Sequence, residues 1–184
     1  MKQLNRNTAL IATLAGTLFS FAAHAQQASP QTAEMGVTLE IQDECTITAS
    51  DLDFGATGFI DAELSAQATV TVTCTEGSGY NIGLNAGANP ATPGDVATRR
   101  MHLSKNAMDY YVPYNLRIGS SVGTEWGNTR PTNTVNAEAA TGEAEVITVY
   151  GVVPVASGPH VPTGAYEDTI TATVWYGGDY ESGI

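Results

Sequence analysis

Residues 68–74 set Ala68, Val70, Val72 and Cys74 against Thr69, Thr71 and Thr73. A period of two places alternate side chains on opposite faces of a strand, so this stretch calls for one dry face and one wet one. The pattern recurs along the chain. Met35, Val37, Leu39 and Ile41 alternate with Gly36, Thr38 and Glu40, and Tyr80, Ile82 and Leu84 follow the turn Gly77-Ser78-Gly79. Tyr110, Val112, Tyr114, Leu116 and Ile118 share one parity, and Ile170, Ala172, Val174 and Tyr176 alternate with Thr169, Thr171, Thr173 and Trp175. Residues 146–153 are apolar on both parities, as a central strand would be. Turn-rich connections occupy 87–95, 119–136 and 157–164. No 3.6-residue period appears after residue 25; a turn of helix within 137–145 would break at Thr141-Gly142. Several short strands at this spacing predict an all-β sandwich, with one domain for a chain of 184 residues.

The first 25 residues read differently. Lys2 and Arg6 precede a mainly apolar run over 8–23, and Ala23-His24-Ala25 fits a small-x-small cleavage pattern. That arrangement predicts a secretory signal peptide over 1–25. Its apolar run is too short and too rich in Ala, Gly, Thr and Ser for a membrane span, and no later segment is long and apolar enough, so no membrane insertion is expected. Cleavage would remove two of the seven basic residues and none of the 19 acids, leaving five against 19, a net charge of −14. A chain so acidic has no electrostatic attraction for nucleic acid or for an anionic membrane.

Export sets the reading of the cysteines. Cys45 and Cys74 are the only two, and an oxidising compartment predicts a disulfide between them. With no C-x-x-C and three histidines in all, neither a redox pair nor a metal site is expected, and no cofactor is implied.

Candidate catalytic groups are few. Gly119-Ser120-Ser121-Val122-Gly123 fits G-x-S-x-G, but Thr124-Glu125-Trp126-Gly127 follows where a nucleophile elbow needs a helix. His160 is the only later histidine and lies between Pro159 and Val161-Pro162. Asp51/Asp53, Glu143/Glu145 and Glu167/Asp168 are near pairs of carboxylates, a pattern that solvated strand ends also produce. Tyr110, Tyr111, Tyr114, Trp126, Trp175 and Tyr176 could form a sugar-stacking platform, although alternation turns Tyr110, Tyr114 and Tyr176 inward. No enzymatic activity is expected.

The segment 35–41 stands out by position. It lies close behind the predicted cleavage site and just ahead of Cys45. It is either the domain's own first strand or a strand for a neighbour, and both need one buried face.

Several motifs then bear on the choice. An alternating N-terminal strand runs into Cys45, and Leu52-Asp53-Phe54-Gly55 follows. Next come Val70-Thr71-Val72-Thr73-Cys74, Arg100-Met101, Tyr110-Tyr111-Val112-Pro113-Tyr114-Asn115-Leu116 and Trp126-Gly127. Val149-Tyr150-Gly151-Val152-Val153 and the stretch from Gly164 to Val174 close the series. In order and spacing the mature chain resembles the spore coat protein U family, the subunits of archaic chaperone–usher pili. The tail 177–184 runs past the usual family end.

The resemblance implies an incomplete immunoglobulin-like β-sandwich completed by a donor strand from a neighbouring subunit. It divides the chain into a signal peptide (1–25), an N-terminal donor strand (26–41) and a pilin domain (42–184). Met35, Val37, Leu39 and Ile41 become the donor-strand plugs. The implied partners are identical or homologous pilin subunits in a head-to-tail polymer, a periplasmic chaperone and an outer-membrane usher. The implied destination is the cell surface, reached through the periplasm, with roles in adhesion and biofilm formation. A secreted carbohydrate-binding sandwich and a spore- or cell-surface coat protein are the alternatives.

Overall fold

The computed structural model describes residues 30–155 and 161–178. The expected signal peptide (1–25), His160 and most of the 177–184 tail lie outside the described residues. The chain divides into two units, 1–39 and 40–184. Of the first, residues 30–39 carry no regular structure and are exposed throughout.

The second unit is all-β. Its strands are β1 (Cys45–Ala49), β2 (Leu64–Cys74), β3 (Tyr80–Leu84), β4 (Arg100–Lys105), β5 (Met108–Pro113), β6 (Asn115–Ile118), β7 (Val135–Ala137), β8 (Glu145–Val153) and β9 (Ala172–Tyr176). One antiparallel sheet has the order β1-β2-β8-β6, a second the order β7-β3-β9, and β4-β5 forms a separate hairpin. The only described helical element of any length is the 3-10 turn Val96–Thr98, capped by the Asp95 carboxylate accepting from the Ala97 N–H.

The alternation in β2 sorts as the period requires. Ala68, Val70, Val72 and Cys74 are buried, and the threonines between them face outward, half-exposed. The core joins these residues to Tyr80, Ile82 and Leu84 of β3, to Val149 and Val153 of β8, and to Val112, Tyr114, Leu116 and Trp126. Cys45 and Cys74 form a disulfide, tying β1 to β2 at facing positions of their ladder.

Two expectations change, and one strand is new. The stretch 110–118, read as one strand, is cut at Tyr114 into β5 and β6, which belong to different sheets. Its parity survives the break, because Val112, Tyr114 and Leu116 all remain buried. The strand β4 had no expectation. It pairs with β5 around a turn in which Asn106 and Ala107 both take positive φ, 54° and 60°. Positive φ at both central residues is the signature of a type I′ hairpin turn, and asparagine tolerates it better than most residues. Finally, β8 is central but not dry throughout. Val146 is exposed, and only the end at Gly151, Val152 and Val153 is buried on both faces.

Candidate functional site: an open edge of the sandwich

The two sheets close on each other at one side. Arg99, fully buried, spans the gap there. Its Nη2 donates to the carbonyls of Leu84 (2.8 Å), Asn85 (2.6 Å) and Trp126 (2.7 Å), and its Nε donates to Asn85 (2.9 Å). Its Nη1 pairs with Glu125 Oε1 at 2.9 Å. Trp126, also fully buried, donates from its indole N–H to the Ile82 carbonyl (2.9 Å) and from its backbone N–H to Leu116 (2.7 Å). One cation and one indole thus bind β3 to the segment flanking β6. A guanidinium suits this role, since its five donors can serve several carbonyls at once. Burial pushes Arg99 down and Glu125 up from their ordinary pKa values, and each charge partly offsets the shift of the other.

On the opposite side no described ladder joins the sheets, although β1 and β9 come close there. The Ser50 N–H donates to Thr69 and the Thr75 N–H to Glu44, so the hydrogen-bonded pairs of the β1–β2 ladder fall at Thr46 and Thr48. The backbone groups of Cys45, Ile47 and Ala49 therefore point away from β2. On β9, the Asn85 N–H donates to Thr171, which puts the paired positions at Thr173 and Trp175. The N–H and C=O of Ala172, Val174 and Tyr176 then face away from β3. Both β1 and β9 are edge strands, each with a free row of donors and acceptors.

The side chains report the same gap. All five residues of β3 are buried, whereas all five of the adjacent β9 are only half-buried. Ile47, Ile170, Ala172, Val174 and Tyr176 pack against the core yet remain partly wet. Strands β1 and β9 approach each other without a ladder between them, and a cleft of about 600 Å³ opens at their Ala49 and Ala172 ends. Its lining runs from Ala49, Leu52 and Phe54 across Val70, Leu84, Leu116 and Val149 to Tyr166, Ile170 and Ala172. The segment above β9 is held by the hairpin. His102 and Glu167 exchange backbone hydrogen bonds (2.8 and 3.1 Å), and Lys105 Nζ donates to the Thr163 carbonyl (2.6 Å).

Three carboxylates of the near pairs, Asp168, Asp53 and Glu145, accept hydrogen bonds. Asp168 Oδ2 accepts from the Tyr114 hydroxyl (2.7 Å), and its Oδ1 accepts from the Ala88 N–H (2.8 Å) and Asn89 Nδ2 (3.2 Å). Burial first, then the Asp168 hydrogen bond, raise the Tyr114 pKa far above the usual phenol range, so Tyr114 remains a donor. Asp53 caps the Gly55 N–H (2.7 Å), and Glu145 accepts from the Tyr80 hydroxyl (2.6 Å). Ser121 sits in a tight turn with no helix after it. The aromatic platform does not form. Trp126 is core, Tyr111 stacks under Arg100 (3.7 Å) on the hairpin, and Trp175 lies beside Arg130 (4.7 Å) on β9.

Residues 30–44 belong to no strand. Met35, Val37 and Leu39 are 86%, 88% and 87% exposed and Ile41 is 75% exposed. Their alternation predicts a strand. A strand is defined by its ladder, and none is formed there, so 35–41 is not the first strand of the sandwich; β1 is. The cleft itself was not visible in the sequence as a set of residues, because its lining comes from separated segments. The closest signal was that Ile170, Ala172, Val174 and Tyr176 face inward on the last strand.

Comparison with known proteins places this architecture. A chain of the chaperone–tip adhesion subunit pre-assembly complex (CsuC–CsuE) from archaic chaperone–usher Csu pili of Acinetobacter baumannii superposes with a TM-score of 0.50 at 22% identity. The match covers 73% of this chain and 40% of that one, and it shows a shared immunoglobulin-type fold. Protein U of Myxococcus xanthus is 29% identical over 174 residues, spanning 89% of this chain and 94% of the relative. The family model described as Spore Coat Protein U domain matches residues 31–173. With a match of that extent, the chain belongs to the Spore Coat Protein U domain family, and its role is structural rather than enzymatic.

Proposed function

We propose that this chain is a structural subunit of a chaperone–usher pilus and polymerises by donor-strand complementation. The observation that carries the reading is a pair of complementary defects. The sandwich has two free edges flanking a cleft with half-wet core residues, while an alternating apolar segment, 35–41, is exposed and unpaired. Strand addition satisfies both: backbone groups extend the ladder, and alternate side chains fill pockets. Chaperone–pilin donor-strand complementation is one known form of it. Met35, Val37, Leu39 and Ile41 are the plugs, each contributing about 1.5–3 kcal/mol when fully buried.

A periplasmic chaperone would occupy the cleft first, and at an outer-membrane usher the 26–41 segment of the next subunit would replace it. The resulting fibre would serve attachment and biofilm formation at the cell surface. The high negative charge keeps free subunits apart but cannot hold a fibre together, so burial and strand pairing must. The likeness to Protein U along nearly its whole length favours a second setting for the same exchange, a coat assembled on a cell or spore surface.

The test is to express residues 42–184 alone and add a peptide of residues 35–41. Donor-strand binding raises the melting temperature with peptide concentration, as any ligand of the native state does. A body that melts cooperatively as a monomer and ignores the peptide refutes the reading.

A further inference from the structure

Residues 51–63 join β1 to β2 without forming a strand. Among the described residues, their hydrogen bonds are local. Asp53 accepts from the Gly55 N–H, and the Thr57 hydroxyl donates to the Phe59 carbonyl at 2.8 Å. Among the described residues no backbone-to-backbone bond ties this stretch to a neighbouring strand. Side chains hold it instead. Leu52 and Phe54 are spaced by two, like neighbours on one face of a strand, and both line the cleft half-buried. They lie against Gly151 of central β8, where an added Cβ would meet Leu52 Cδ1 at 2.7 Å and Phe54 Cζ at 2.9 Å. Phe54 also meets the Tyr114 ring edge-on, with centroids 6.3 Å apart. The cleft thus already holds two apolar groups on a backbone that no ladder secures.

We propose that Leu52 and Phe54 act as a resident plug that competes with the incoming strand. In the unassembled subunit this strap covers the Gly151 end of the core. It withdraws when a donor strand runs the full cleft. Segments lacking ladder bonds open at low free-energy cost, so the strap is the part of the cleft wall best able to move. Its closed state lowers the apparent affinity for the donor by the fraction of subunits in which it is shut. Gly151 is the seat of the plug, and its missing side chain is what lets Leu52 and Phe54 approach. The inference rests on the donor-strand reading and adds to it a second occupant of the same cleft.

The test uses the full mature chain carrying Val37→Asp and Leu39→Asp, which cannot lend its own strand, with a peptide of residues 35–41 as ligand. Chymotryptic cleavage after Phe54, followed by mass spectrometry, should accelerate several-fold when the peptide is added. In the same background Gly151→Ala, which crowds the strap without altering it, should bind the peptide about tenfold more tightly. Leu52→Ala with Phe54→Ala should shift binding in the same direction. Peptide binding that slows cleavage after Phe54, or leaves it unchanged, overturns the strap and makes these residues a fixed wall while sparing the donor-strand reading. Should a substitution prevent folding, the cleavage result decides alone. If the parent chain fails to bind the peptide at all, the donor-strand reading falls and the strap with it.

Discussion

Replacing Val37 and Leu39 together with aspartate separates folding from assembly. Both side chains are almost fully exposed in the subunit, at 88% and 87%, so the folded monomer loses no burial by the change. Its melting temperature should stay within about 1–2 °C of the parent, as for other surface substitutions. In the assembled state the same two side chains would each contribute about 1.5–3 kcal/mol, so their loss removes about 3–6 kcal/mol. That weakens the subunit–subunit dissociation constant by about two to four orders of magnitude, before the added penalty of placing carboxylates in an apolar cleft. Thermal melts of the monomer, size-exclusion chromatography and negative-stain microscopy read the two effects separately. An unchanged melt with fibres lost is the expected result. Fibres at normal yield from the double variant would falsify the assignment of the plugs.

The closed side of the sandwich offers further tests. Arg99→Met removes the donors that serve the carbonyls of Leu84, Asn85 and Trp126 and leaves the half-buried Glu125 without its cation, and should cost about 3–5 kcal/mol, lowering Tm by about 6–20 °C. Burial pushes the Glu125 pKa above its ordinary value of 4.5, so the native state holds that proton more tightly than the unfolded chain does. Its contribution to stability is therefore complete below 4.5 and is lost as pH rises through the folded value; a carbon-13 titration of the Glu125 carboxyl should show a midpoint above 4.5. Cys45→Ser with Cys74→Ser opens the link between residues 29 apart in sequence and should cost about 3–4 kcal/mol, read by chemical denaturation.

The sequence made the strands legible wherever one face is dry. In β2 and β9 the hydrophobic period alone sorts inside from outside. It was less informative where tertiary context decides. Tyr114 continues the parity of its neighbours, yet the chain changes sheets around it, and nothing in a period-two pattern marks that transfer. Arg99 was invisible as a core residue because a charge reads as surface until its partners are known, and four of those are reached through the fold. Trp126 reads as a free aromatic because it lies within the turn-rich connection 119–136; its indole is held by the carbonyl of Ile82, 44 residues earlier. The segment 35–41 presents the converse case. Its pattern demands a buried face that residues 30–44 do not acquire as a strand.

The division between a sealed side and an open one gives the subunit its logic. Arg99 and Trp126 bind the sheets where β6 lies, so the domain can hold its shape while the outer edges of β1 and β9 stay unpaired. On the donor-strand reading, half-wet inward residues along β9 would supply a driving force for completion, and a free ladder on each edge would supply direction.

Amide hydrogen exchange on assembled and unassembled chain tests strand completion most directly. The free-edge N–H groups of Ile47 and Ala49 on β1, and of Ala172, Val174 and Tyr176 on β9, should exchange rapidly in the subunit. On at least one of the two edges they should become strongly protected in the fibre, together with amides of residues 35–41. Fibres in which both edges and that segment still exchange as in the free subunit would mean that the chain assembles through another surface.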